Sequence, residues 1–194
     1  MKIVLSPSKT KTITTVDNDG AVHTAVQDGQ FQPHITQDIV KHVQSLDVAA
    51  LGKALKLKDD KAQTLFDFYQ AFESHPVGLA CESYDGIAFK YLDWQNLSDE
   101  AKAFGESHLV VMSALYGVVE PMMGVRDYRL DMVDKVGINL YDTWREAVDA
   151  YFHKEDWILN LASKEYAKMV NHPKVVTVEF WELRGDAFKQ MSTS

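Results

Sequence analysis

The sequence predicts an α/β fold, a mixed sheet flanked by helices with a helix-hairpin-helix-like helical insertion. Two observations carry this reading. Short apolar runs of strand length stand at Lys2–Leu5, His108–Met112 and Trp157–Leu161. Stretches with helical apolar spacing separate them, through Ile35, Ile39, Val40, Val43 and Leu46, and again through Trp144, Val148, Tyr151 and Phe152. The length of 194 residues fits one domain, 1–194, with a helical sub-region at about 35–75.

The elements follow in chain order. Lys2–Leu5 is a buried strand that ends at Ser6-Pro7. Residues 10–32 are rich in Thr, Asp, Gly and Gln, which predicts a mobile loop. A helix begins near Ile35. Asp47 caps the next, with Ala50, Leu51, Ala54 and Leu55 inside, and a turn at Lys56-Leu57-Lys58 leads into a third from about Asp59 to Phe72. Val77–Cys81 reads as a strand. Ser98 precedes a helix whose first turn holds Asp99 and Glu100, which suits the positive end of the helix dipole. The strand His108–Met112 follows, then a helix over Tyr141–Phe152, the strand Trp157–Leu161 and a short helix Ser163–Val170. Val175–Trp181 and Ala187–Met191 flank a hairpin-like turn at Arg184-Gly185-Asp186.

Composition narrows the function classes. The charge of −8, from 20 basic and 28 acidic residues, disfavours non-specific binding to nucleic acid or anionic membrane, while leaving room for a local basic patch. The single cysteine, Cys81, excludes an internal disulfide framework and a Cys-based zinc site. It stands in an apolar run and reads as a small core residue. The run at Met1–Pro7 is too short for a signal peptide, and no stretch approaches the ~20 apolar residues of a membrane span, so a soluble, cytoplasmic chain is expected. The 7 histidines are scattered without a metal pattern, and no dinucleotide, Walker or nucleophile-elbow motif occurs, so neither cofactor nor metal is expected. No stable protein partner is indicated.

Three polar segments each follow a buried strand: Ser6-Pro7-Ser8-Lys9-Thr10, Ser113-Ala114-Leu115-Tyr116-Gly117, and Asn160-Leu161-Ala162-Ser163-Lys164-Glu165-Tyr166. Parallel neighbouring strands bring such loops together at the carboxyl edge of the sheet, where open α/β sheets bind ligands. Ser6, Ser8 and Thr10 offer hydroxyls and Lys9 an ammonium to a phosphate or carboxylate. The alternative is a turn fixed by Pro7. Arg126 and Arg129 form a second candidate anion clamp beside Tyr128. The alternative there is internal pairing with Asp127, Asp131 or Glu120. Asn160 and Ser163 are candidate caps for the following helix. Lys56 and Lys58 occupy the positions that glycines hold in a helix-hairpin-helix, where they offer charge to a phosphate without close backbone approach; an ordinary helical hairpin is the alternative.

Taken in order, Ser6-Pro7-Ser8-Lys9-Thr10, Ser113-Ala114-Leu115-Tyr116-Gly117-Val118 with Pro121, Tyr128-Arg129-Leu130-Asp131-Met132, Leu140-Tyr141 with Trp144, and Asn160-Leu161-Ala162-Ser163 with Glu165-Tyr166 resemble the YaaA family of peroxide stress proteins. The resemblance spans essentially the whole chain. It implies a positively charged cleft, a role in limiting damage from peroxide and unincorporated iron, and DNA as the partner. It carries Lys9, Tyr116, Arg126, Arg129, Asn160 and Ser163 over as cleft residues. It also implies a further strand and a basic K-K-x-R-G segment after Ser194, so the chain looks C-terminally shortened.

The expectation is therefore a stress protein that binds nucleic acid, with Lys9, Arg126 and Arg129 on phosphates and Tyr116 or Tyr128 stacked on a base. An enzyme acting on a nucleotide or nucleobase, with Asp131 or Glu165 as acid/base, is the alternative. Iron sequestration is a weaker third, for want of a compact ligand set.

Overall fold

A computed structural model describes residues 1–13, 30–185 and 187–190. The helices are α1 (Pro33–Gln44), α2 (Val48–Leu55), α3 (Asp59–Gln70), α4 (Ala80–Ser83), α5 (Ile87–Leu92), α6 (Asp99–His108), α7 (Leu140–Phe152) and α8 (Lys164–Ala167). The strands are β1 (Lys2–Leu5), β2 (Gly78–Leu79), β3 (Leu109–Ser113), β4 (Gly117–Val119), β5 (Gly124–Val125), β6 (Ile158–Asn160), β7 (Val175–Thr177), β8 (Trp181–Arg184) and β9 (Ala187–Gln190).

The main sheet has five strands in the order β4-β3-β1-β6-β7. β1 pairs in parallel with β3 on one side and β6 on the other, with Val4 opposite both Val110 and Asn160. β7 extends the parallel run beside β6, and β4 returns antiparallel along β3. The fold is thus α/β with a mixed sheet flanked by helices.

Successive strand residues point to opposite faces, which sorts the core. Val4 enters the main cluster with Val110, Met112, Trp144 and Phe152. Ile3 joins a smaller cluster of Cys81, Trp94 and Leu109. α6 packs on β1 and β3, and α7 on β4. Gly105 is what lets α6 lie against Trp94, since a Cβ there would stand 2.6 Å from the indole. Trp144 locks α7 to the turn after β3 by donating Nε1–H to the Ala114 carbonyl at 2.9 Å.

The predicted caps hold at two helices. Asp47 accepts from the Ala50 amide at 2.7 Å and Ser98 from the Ala101 amide at 3.2 Å. α2 and α3 are joined by Lys56-Leu57-Lys58, with Lys56 at φ 53 and Gly52 so placed that a Cβ would meet the Ala62 side chain at 3.0 Å.

Three predicted elements change. The strand expected over Val77–Cys81 is only Gly78–Leu79, and the chain turns at once into α4; a short apolar run does not distinguish a strand from a buried helical turn. The single strand expected over Val175–Trp181 divides. Val175–Thr177 joins the main sheet, while Trp181–Arg184 pairs with Ala187–Gln190 around Gly185. The helix expected over Ser163–Val170 is the single turn Lys164–Ala167. Most of the loop expected at 10–32, residues 14–29, lies outside the described residues.

Candidate functional site at the strand ends

The parallel order β3-β1-β6 brings the three polar loops to one edge of the sheet. The Leu161 amide donates to the Val4 carbonyl at 2.9 Å, carrying the β1–β6 pairing past the strand end. Ser6 closes the seam. Its hydroxyl accepts from the Ser163 amide at 2.9 Å and donates to the Ser163 hydroxyl at 3.2 Å. Ser163 starts α8 but makes no side-chain cap bond, because its hydroxyl is engaged with Ser6. Asn160 is buried, and its Oδ1 accepts from the Ala162 amide at 3.1 Å. This turn bond, rather than a helix cap, is its part.

Beyond Ser6 the chain runs against residues 83–85. The Asp85 amide donates to the Thr10 carbonyl at 3.0 Å, and the Thr12 amide to the Ser83 carbonyl at 2.8 Å. Ser8 and Thr10 share a hydroxyl contact of 3.2 Å, and the Thr10 hydroxyl also donates to the Asp85 carbonyl. The Lys9 side chain is 70% exposed and meets Asp131 at 3.0 Å. Asp131 is held from behind by the Tyr166 hydroxyl, which donates to it at 3.0 Å. Asp134 turns back to accept from the Asp131 amide, and Glu165 accepts from the Val133 amide. Burial raises the carboxyls of both Asp134 and Glu165 above the ordinary range, with the Asp131 charge adding to the effect.

Beneath that rim lies a hydroxyl cluster. Tyr128 and Ser113 are 2.7 Å apart, and Tyr128 and Tyr84 are 3.2 Å apart. All three are buried. Burial pushes the Tyr128 phenol up to about 12. Lys11 enters over this cluster. Its ammonium sits 4.0 Å from the centre of the Tyr128 ring and 5.6 Å from that of Tyr84, and it donates to the Tyr128 carbonyl at 2.8 Å. Desolvation lowers its pKa to about 8 against the pull of Asp127 and Asp131. Lys11 has no signal in its own neighbourhood of sequence, since its burial comes from tyrosines 73 and more residues away.

Three sequence-based assignments need correction. Arg126 is 5% exposed and turned inward, with its guanidinium 3.2 Å from Glu73, 4.8 Å from the centre of the Phe72 ring and bonded to the His75 carbonyl. The internal ion pair is made, with Glu73 in place of the nearer acids in sequence, and no face is left to clamp a phosphate. Tyr116 and Tyr128 are 1% and 2% exposed, so neither ring has a face open to a base. Tyr116 instead accepts from the Arg126 amide at 3.2 Å and packs edge-on to Tyr128. Arg129 is half-buried beside Asp134, lowering the carboxyl that burial raises. Lys56 and Lys58 are exposed, in the turn between α2 and α3. Lys58 stands eleven residues along α3 from Tyr69, about 16 Å at the helical rise, and it is Tyr69 whose hydroxyl reaches the Arg129 carbonyl.

A cavity of about 380 Å³ lies between α7 and the segment 168–171, and none of the strand-end residues lines it. Among the described residues, no group of three His, Cys, Asp or Glu side chains is placed to hold a metal ion. No helix among them is long and apolar enough to cross a membrane. Cys81 is buried with its thiol pushed up to about 12. The reactive form of a thiol is its thiolate, so iodoacetamide at pH 7 should leave the folded protein unlabelled and label it fully in urea, as mass spectrometry would read directly.

A family model described as peroxide stress protein YaaA matches residues 1–194. The chain belongs to that family. Among YaaA relatives, a UPF0246 protein of Finegoldia magna is 32% identical over 170 residues, covering 88% of this chain and 66% of the relative. A UPF0246 protein of Desulfitobacterium hafniense is 34% identical over 176 residues, covering 88% and 68%. One of Agathobacter rectalis is 32% identical over 200 residues, covering 96% and 77%. The chain thus spans about two thirds of the length of the Finegoldia YaaA relative.

Proposed function

We propose that the protein acts in the cytoplasm in resistance to hydrogen peroxide by binding nucleic acid at the strand-end edge, with Lys9 on a phosphate. The observation that supports this is the placement of Lys9. Its ammonium is the exposed partner of an ion pair whose carboxylate, Asp131, is fixed by Tyr166. Lys9 can swing from Asp131 to a phosphate oxygen, since its side chain is 70% exposed while Asp131 keeps its hydrogen bond from Tyr166. The Ser8 and Thr10 hydroxyls lie alongside. Arg129 stays as the second cation and Arg126 drops out, since Arg126 is committed to the interior.

Fluorescence anisotropy with single-stranded, duplex and mismatched oligonucleotides across a salt series tests it. The affinity should fall steeply with salt, and Lys9→Ala combined with Arg129→Ala should flatten that slope by about two ions released. Binding that ignores salt, or that the double substitution leaves untouched, would sink the reading.

A further inference from the structure

We propose that Lys11 is a covalent residue, whose amine forms an imine with an aldehyde carried on a sugar phosphate held by Lys9. The inference deepens the nucleic-acid reading and rests on it for the source of the aldehyde, a ring-opened abasic deoxyribose within a strand. Its basis is the setting of the amine. A lysine kept for structure is ordinarily either in solvent or paired with a carboxylate. Lys11 is neither. It is sandwiched against two tyrosine rings, its hydrogen bond goes to a neutral carbonyl, and among the described residues no carboxylate lies within ion-pair distance of it. With no carboxylate to hold the charge, desolvation outweighs the ring faces and the carbonyl, which favour the ammonium. The charged groups that reach it are Asp127 and Asp131, and the titratable ones packed on it are Tyr84 and Tyr128. With its pKa lowered to about 8, an appreciable fraction is neutral amine at physiological pH, the state in which lysines attack carbonyls.

The step balances without an oxidant or reductant. The nitrogen lone pair bonds to the aldehyde carbon, and the carbonyl oxygen takes up the proton that nitrogen gives up. The carbinolamine then expels that oxygen as water with a second proton, leaving a protonated imine. Water carries these protons, while Asp131, ion-paired to Lys9, reaches Lys11 by its charge, and hydrolysis reverses the sequence. Lys9 is two residues from Lys11, so a phosphate at Lys9 brings its own sugar to the amine.

Borohydride trapping tests the proposal. The full chain is incubated with an oligonucleotide bearing one abasic site, with the same oligonucleotide lacking it, and with free 2-deoxyribose 5-phosphate. Borohydride reduces any imine to a stable amine, and peptide mass spectrometry locates it. The expected result is an adduct on Lys11 with the abasic strand, rising in yield as pH passes about 8. It should fall at least about tenfold in Lys11→Met and in Lys11→Arg, which keeps the charge but cannot form the imine. Circular dichroism checks that both variants fold, and anisotropy measures their DNA affinity separately. An adduct confined to Met1 or Lys9, or none while the DNA still binds, overturns the proposal. An adduct on Lys11 with the free sugar phosphate and no DNA affinity upholds the lysine chemistry and overturns the nucleic-acid source.

Discussion

Replacing Gly117 by Ala should destabilise the protein by about 3–5 kcal/mol, the sum of left-handed backbone strain and a forced repacking of the core. Gly117 opens β4 at φ 72, a region that side chains with a Cβ rarely enter. A Cβ there would stand 2.6 Å from two carbons of the Trp144 ring. The ring cannot retreat, because Trp144 is 1% exposed and its Nε1–H is tied to Ala114. Gly185 supplies the control. It has φ 64 and nothing within 4 Å of a built Cβ, so Gly185→Ala carries the backbone strain without the clash and should cost about 1 kcal/mol. Urea unfolding of the two variants separates the contributions. Equal midpoints would mean that Trp144 yields easily.

The second large effect is at Lys11, where Lys11→Met should stabilise the protein at pH 7 by about 1–2 kcal/mol. The pKa of the folded state, about 8, lies below the ordinary 10.5. The unfolded chain therefore binds more protons between those values, and stability rises as pH climbs from about 8 towards 10.5. Below that window the full penalty for holding a desolvated ammonium is present. Its ceiling is on the order of 3 kcal/mol, reduced by the cation–π contacts and the hydrogen bond that methionine lacks. Above pH 10 the buried tyrosines act in the opposite sense. Tyr128 keeps its phenol proton in the fold to about 12 while the unfolded chain gives it up near 10, so stability falls again. The wild-type profile should peak near pH 10, and Lys11→Met should remove the rising limb and keep the falling one. A profile identical to wild type would mean that Lys11 is fully hydrated in the fold.

Strand positions were legible because buried parallel strands read as unbroken apolar runs, and β1, β3 and β6 do. The meeting of their loops was legible for the same reason, since parallel neighbours place their carboxyl ends together. What was not legible depends on partners distant in sequence. Arg126 had acids at hand in Asp127 and Glu120, yet its charge is met by Glu73, which only the packing of Phe72 and His75 brings near. Lys11 and Thr10 look alike as loop residues until Tyr84 and Tyr128 close over one of them. Asp47 and Ser98 were readable as caps because a cap bond spans three residues. Ser163 has the same local look, but its hydroxyl is taken by Ser6, 157 residues away.

The place of β1 in the sheet sets a timetable for synthesis. Residues 2–5 form the inner strand, and its partners are residues 109–111 and 158–160. A nascent chain emerging at about 5–20 residues per second keeps Ile3, Val4 and Leu5 unpaired for many seconds before β3 leaves the ribosome. The strand that organises the Ser6–Lys11 edge is therefore made before both its partners and is satisfied on both sides only once β6 has emerged.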